Sequence, residues 1–310
     1  IELYHQENKD INFKIFGNKN IIEKIILSKS IDKENYELIH TEENIENEDS
    51  PLFAAKKGKN TSMWLAIESV KNKSSDIVLS AGNTGALFII AKLNLNMIEN
   101  IDKPALSGLW PNKTGMNVVL DLGANIECNE KNLIDFSLMG SALYRALFDN
   151  ETPKVALLNI GSEELKGNSV IKNTFQKLNN SNHPIYEFHG YIEGNHIMDG
   201  KVNVIVTDGF TGNVALKTAE GTANFITKNL KKSLNKLSIL ISYGPLKKFR
   251  DKLDPRKYNG AIFLGLQSPV VKSHGSTDSI GFANSINVCN TIVKANLINK
   301  IESNLITVDA

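Results

Sequence analysis

Apolar residues in this chain fall into short unbroken blocks, set between longer stretches where they recur every three or four positions. The blocks at 77–79, 105–110, 116–120, 154–160, 202–206 and 269–272 predict strands, and residues 11–16 and 36–40 predict two more. Helical spacing fits Ile21, Ile22, Ile25 and Ile26, then Met63, Leu65, Ala66 and Val70, then residues 86–97. It returns in 132–148, in a helix ending near Leu178, in a very long stretch after Asn213, and in a final helix over 278–302. Continuous rather than alternating apolar strands, spaced by helices, predict a largely parallel sheet covered on both faces. The expected architecture is therefore a three-layer α/β/α sandwich, taken as one domain over residues 1–310.

Ligands of such folds bind outside the carboxyl ends of the strands. Five of these ends run into small and polar residues: Ser80-Ala81-Gly82-Asn83-Thr84-Gly85, Asp121-Leu122-Gly123-Ala124-Asn125, Gly161 to Asn168, Asp208 to Asn213, and Ser273-His274-Gly275-Ser276. A strand feeding a glycine-containing turn into a helix suits an anion, because the first-turn N–H groups lack internal partners and the helix dipole adds positive potential. Gly82, Gly85 and Gly209 to Gly212 would allow close backbone approach. The plainer alternative is that Asn83 or Thr84 only caps a helix. No Gly-x-Gly-x-x-Gly and no Gly-Lys-Ser/Thr occurs, which disfavours dinucleotides and nucleoside triphosphates.

Composition narrows the reading further. The 310 residues are 41% hydrophobic and 22% charged with a net charge of +1, which argues against nucleic acid bound through bulk charge. Charge is uneven, however: residues 32–49 are acidic, while 228–257 carry ten Lys or Arg against Asp251 and Asp254. Cys128 and Cys289 have no metal spacing and are expected to be structural thiols in a reducing compartment. No apolar run approaches the roughly 18 residues of a membrane span, and Ile1 to His5 is not a signal peptide, so a cytoplasmic location is expected.

Taken in order, the five loops, together with Met139-Gly140-Ser141 and Leu158-Asn159-Ile160-Gly161, resemble the motifs of PlsX-type phosphate acyltransferases, from about Phe13 to the last helix. The resemblance implies an isopropylmalate dehydrogenase- or phosphotransacetylase-like fold, a homodimer, and no cofactor or metal. It implies attack of inorganic phosphate on the thioester of a fatty acyl group carried by acyl carrier protein, giving acyl phosphate for phospholipid synthesis. Phosphate is already a nucleophile, so the protein need only hold it and stabilise the oxyanion. On the motif positions, Lys166 is assigned to charge neutralisation, Asn213 to orienting phosphate or carbonyl, and His274 to hydrogen bonding or proton transfer. Ser80, Gly82, Asn83, Thr84, Gly85, Asp121, Asn125, Asn168, Asp208, Gly209, Thr211, Gly212 and Ser276 are assigned to substrate and phosphate binding. The alternatives are a solvent-facing lysine at 166, an ordinary strand-end histidine at 274, and carboxylates at 121 and 208 that only hold their own turns. The family's first strand and its Asp-Ala-Met-Gly-Gly-Asp type loop have no counterpart here, and restoring them is expected to raise activity and stability.

Residues 228–255 read as a projecting hairpin of two amphipathic helices, joined near Ser242-Tyr243-Gly244-Pro245. Leu237, Leu240, Ile241 and Phe249 beside Lys247 and Lys248 suit an anionic lipid surface. A pair of surface helices packed on the core or at a dimer contact is the alternative. Resembling enzymes pass their product to a membrane glycerol-3-phosphate acyltransferase, which implies peripheral membrane association. Two other functions fit less well: a coenzyme A-dependent phosphate acetyl- or butyryltransferase, and a catalytically silent membrane- or carrier-binding module.

Overall fold

In a computed structural model the chain is described over residues 1–29, 31–148, 151–181, 183–233, 244 and 254–306. The architecture is α/β, with mostly parallel strands in a mixed sheet flanked by helices, as the unbroken apolar blocks predict. Its contacts group into two compact units, Ile1–Pro104 with Arg145–Glu151 and Asn259–Ala310, and Ala105–Tyr144 with Thr152–Tyr258.

In the first unit, α1 (Glu2–His5) precedes β1 (Phe13–Gly17), α2 (Lys19–Ile26) and β2 (Tyr36–His40), and the two strands pair in parallel as a small separate sheet. Then come α3 (Pro51–Lys57), α4 (Ser62–Lys71), β3 (Val78–Ser80) and α5 (Thr84–Asn94). Helix starts are dictated locally, since Asn18, Ser50, Thr61 and Asn83 each accept a hydrogen bond from the backbone N–H three residues on. Ala86, Leu87, Ile90 and Ala91 form the buried stripe of α5.

The second unit holds β4 (Ala105–Pro111), β5 (Met116–Leu120), α6 (Glu130–Leu147), β6 (Lys154–Asn159), α7 (Ser169–Asn180), β7 (Glu187–Glu193), β8 (Val204–Val206) and α8 (Gly209–Ser233). Its strands run in the order β4-β5-β8-β6-β7, parallel except for the β4–β5 pair. On α6, Phe136, Met139 and Leu143 are fully buried, each contributing about 1.5–3 kcal/mol of hydrophobic stabilisation. Gly140 lets this helix lie close on the sheet, because a Cβ there would be 2.7 Å from Val204 Cγ1 and 2.8 Å from Leu120 Cδ2.

The chain ends in the first unit with β9 (Ala261–Leu264), β10 (Val270–Lys272), α9 (Ser279–Lys294) and α10 (Leu297–Ile306). β10 pairs in parallel with β3 and antiparallel with β9. The final helix expected over 278–302 is two helices, broken where Asn296 takes a φ of 51°. Strands β7 and β9 are not foreseen in the apolar pattern. Cys289 is buried, and burial pushes its thiol up to about 12, so it is inert; Cys128 is only half-buried. Leu237, Leu240, Ile241, Lys247, Lys248 and Phe249 of the expected hairpin lie outside the described residues.

Candidate active site

Because β8 lies between β5 and β6 and all three are parallel, their carboxyl ends adjoin on one rim of the second unit. Asp121 follows β5 and is fully buried. Its Oδ1 accepts from the N–H groups of Leu106 (3.0 Å), Gly123 (3.1 Å) and Ala124 (2.9 Å), and its Oδ2 from the backbone N–H and side-chain Nδ2 of Asn125, both at 2.8 Å. Burial raises its pKa, and the N–H donors pull against that rise. Both oxygens are engaged by donors of β4 and of its own loop, so Asp121 shapes the rim rather than facing a ligand. Asp208 is similar: it accepts from Thr211 N–H (2.8 Å) and Thr211 Oγ1 (2.9 Å) and closes the first turn of α8. Among the described residues no cluster of three or more His, Cys, Asp or Glu could hold a metal.

Asp121→Asn tests this role. An amide at Oδ2 would point its own hydrogens at the two Asn125 donors, leaving them unsatisfied in a half-buried loop, so a loss of about 1–3 kcal/mol in urea denaturation is expected.

The α8 start is seated on this loop. Gly209 N–H donates to Asn125 O at 2.8 Å, and Asn213 Nδ2 donates to Leu122 O at 3.1 Å while its Oδ1 has no partner among the described residues. A Cβ on Gly209 would lie 2.4 Å from Asn125 O. These glycines answer to packing between loops.

After β6, Asn159 is buried and pins the next loop, donating from Nδ2 to Lys166 O (3.2 Å) and accepting from Ile160 N–H (2.9 Å). Gly167 has a φ of 93° and a Cβ there would be 2.5 Å from Asn159 Oδ1, so only glycine follows Lys166 without strain. Asn168 caps α7 through Ile171 N–H at 2.9 Å. Lys166 itself is exposed and forms no ion pair among the described residues. Among the described residues, the rim thus holds out the Lys166 ammonium without an ion pair and the Asn213 Oδ1 without a donor.

The first unit has its own rim, where β3 and β10 end side by side with Ser80 opposite Lys272. Gly82 N–H donates to Ser80 Oγ (3.1 Å). Asn83 accepts from Ala86 N–H (3.0 Å) and donates to the carbonyls of Asn47 (2.9 Å) and Asp49 (3.0 Å), so its side chain caps α5 and ties down the acidic stretch. Thr84 is exposed. Neither Gly82 nor Gly85 has a left-handed φ; a Cβ on Gly85 would strike Pro51 of α3 at 2.6 Å, and one on Gly82 would meet the flexible Met63 Cε at 2.9 Å. A conformational need for glycine at 82 is therefore absent.

His274 is exposed, and its Nδ1 lies 3.3 Å from Ser276 N–H and 2.9 Å from Ser276 Oγ. Accepting the backbone N–H places the neutral ring's hydrogen on Nε2, which has no partner among the described residues and is a ready donor. Asn259, not singled out in the sequence, organises this turn: its Oδ1 accepts His274 N–H (2.8 Å) and its Nδ2 reaches Ser273 Oγ (2.8 Å), Thr277 Oγ1 (2.9 Å) and Gly281 O (3.0 Å). Lys272, and Asn159 apart from its place in a quoted motif, likewise receive no role from the sequence; the available signal is a polar residue closing an otherwise apolar strand.

A family model described as "Fatty acid synthesis protein" matches residues 1–300. A "Phosphate acyltransferase" of Pelagibacter ubique (strain HTCC1062) is 62% identical over 310 residues, covering 98% of this chain and 92% of that protein. This chain belongs to the PlsX-type phosphate acyltransferases. A second family member, from Parvibaculum lavamentivorans, is 44% identical over 96% of this chain and 83% of its own length. The fold is shared with the EutD phosphotransacetylase of Staphylococcus aureus, at a TM-score of 0.59 and 16% identity over 95% of this chain and 89% of that one. A branched-chain phosphotransacylase from Enterococcus faecalis gives 0.54 at 15% identity, over 91% and 99%. As a phosphate acyltransferase family member the chain is an acyltransferase.

Proposed function

We propose that this chain transfers a fatty acyl group from the thioester of acyl carrier protein to inorganic phosphate, releasing the carrier thiol and acyl phosphate. Family membership supports the reaction class, and the observation that carries the site reading is Lys166, an ammonium without an ion pair among the described residues, on a loop fixed by Asn159 and Gly167. A phosphate oxygen attacks the thioester carbonyl carbon, the tetrahedral oxyanion collapses, the C–S bond breaks and the thiolate takes a proton. Lys166 offsets the negative charge that develops, which is where a preorganised cation is worth most. Asn213 Oδ1 accepts the hydroxyl of a phosphate monoanion and so orients it. His274 Nε2–H is suited to hydrogen bonding or to proton transfer. The remaining motif positions shape the rims.

The test is to incubate the protein with phosphate and a long-chain acyl carrier donor, following free thiol and acyl phosphate. Thiol release that requires phosphate and the carrier donor is expected. Release from acyl-coenzyme A alone would move the chain to a coenzyme A-dependent acyltransferase, and no phosphate-dependent cleavage would leave a silent binding module.

Homodimerisation, handover to a membrane glycerol-3-phosphate acyltransferase and peripheral membrane association belong to the same proposal. On α8, Phe225 and Ile226 are exposed apolar side chains that a second copy would cover. No described helix is long and apolar enough to cross a membrane. The lipid reading rests on the basic, amphipathic sequence of 228–255. Wild type is expected to co-sediment with anionic vesicles, less so as salt rises, while Leu240→Glu and Lys247→Glu/Lys248→Glu lose binding with normal soluble turnover. Unchanged binding in both variants would reject this segment as the anchor.

A further inference from the structure

Lys272, the last residue of β10, is 8% exposed and its ammonium meets only carbonyls among the described residues, Ala81 O at 3.5 Å and Ser273 O. It forms no ion pair among the described residues. Desolvation lowers its pKa from the ordinary lysine value. A buried charge without a counter-ion costs several kcal/mol, and neutral carbonyls compensate only in part. An apolar residue of the same length would close an apolar strand such as β10 without that penalty.

No carboxylate pairs with the ammonium among the described residues. Ala81 O, one of its two acceptors, belongs to the turn that leads into α5, and a Cβ on Gly275 would lie 3.5 Å from the same oxygen, so the 80–85 and 273–276 turns touch around it. Ala86 N–H is capped by Asn83, but the first-turn N–H groups of Thr84 and Gly85 have no acceptor among the described residues. An eleven-residue helix presents its positive end there. A buried cation without an ion pair and a helix start with open N–H groups thus share one rim, among the described residues.

We propose that Lys272 is an anion-holding residue of this rim, its ammonium pairing with a phosphate oxyanion that also accepts from the first-turn N–H groups of α5. The proposal rests on the acyl transfer reading, which brings two such groups to the protein: inorganic phosphate and the phosphodiester of the carrier's pantetheine arm. A purely structural lysine, holding the Ala81 and Ser273 carbonyls, would lower stability when replaced without separating the two substrates.

Lys272→Met and Lys272→Arg decide between these roles, with steady-state kinetics in each substrate and thermal stabilisation by added inorganic phosphate as readouts. In folded Lys272→Met, the KM for one substrate is expected to rise about tenfold to a hundredfold, the range of a charge-assisted hydrogen bond, with the other unchanged and kcat less affected. A rise for phosphate, with loss of phosphate stabilisation, identifies inorganic phosphate; a rise for the carrier donor identifies the pantetheine phosphodiester. Lys272→Arg should recover part of the loss because it restores charge. Both KM values within about twofold of wild type, or equal losses in Met and Arg variants, would overturn the proposal. Should Lys272→Met fail to fold, Lys272→Gln takes its place under the same thresholds. If wild type itself shows no phosphate-dependent thioester cleavage, the acyl transfer reading fails separately, and phosphate stabilisation of wild type but not of the variant still decides whether Lys272 holds an anion.

Discussion

Lys166→Ala is expected to lower turnover by about a hundredfold to a thousandfold while leaving the fold and melting temperature as in wild type. The side chain is exposed and unpaired among the described residues, so its removal breaks no ion pair or side-chain hydrogen bond of the loop. That loop is held instead through the backbone, by Asn159 on Lys166 O and by Gly167. A group whose charge is used only as the thioester carbonyl becomes an oxyanion should affect kcat more than KM. Turnover of thiol release beside circular dichroism and thermal melting checks this, and near-normal rates in a folded variant would remove Lys166 from the reaction. Asn159→Ala should show the opposite balance: the lysine stays, but its loop loses two hydrogen bonds, so stability falls along with rate.

Gly212→Ala should combine loss of stability with loss of activity. A Cβ at this position would lie 1.9 Å from Asp121 O and 3.0 Å from Asp121 C, and the obstacle is backbone rather than a side chain able to swing aside. The start of α8 must then lift off the 121–125 loop, breaking the Gly209–Asn125 and Asn213–Leu122 hydrogen bonds that seat it. A destabilisation of about 2–3 kcal/mol is expected in urea, the upper part of the range for overpacking. Activity should fall by more than stability alone explains, because Asn213 moves with the helix. Gly221→Ala is the internal control: nothing lies within 4 Å of a Cβ there, and alanine is the better helix former by about 0.8–1 kcal/mol. It should leave activity intact and raise stability slightly; equal behaviour of the two variants would show that the close approach at Gly212 does not matter.

Taken alone, the sequence determined the class of fold and the positions of most elements, because both follow from local rules. Unbroken apolar blocks mark strands buried on both faces, and Asn83, read in sequence as a possible helix cap, does start α5. β2 and β5 fall where they are expected, over Tyr36–His40 and Met116–Leu120. β7 escapes that pattern because its residues alternate between exposed and half-buried as Glu187, Phe188, His189 and Gly190, whereas Ala261–Leu264 of β9 is an unbroken apolar block like those of β3 and β10 and was open to the same reading. The motif order also placed the chain in its family.

Tertiary structure alone decided which polar residues of the loops remain open to a ligand. Asp121, Asp208, Asn83 and Asn168 look like ligand groups in sequence, yet each accepts from a backbone N–H of its own turn, and Asp121 and Asn83 also bind the more distant Leu106 N–H and the Asn47 and Asp49 carbonyls. Lys166, Asn213 Oδ1 and His274 Nε2 stay open, and Lys272, hidden at the end of an apolar strand, is brought beneath two turns from distant parts of the chain. The reason is that residue type fixes how many hydrogen bonds a group can make, whereas the path of the folded backbone fixes how many of them are already taken.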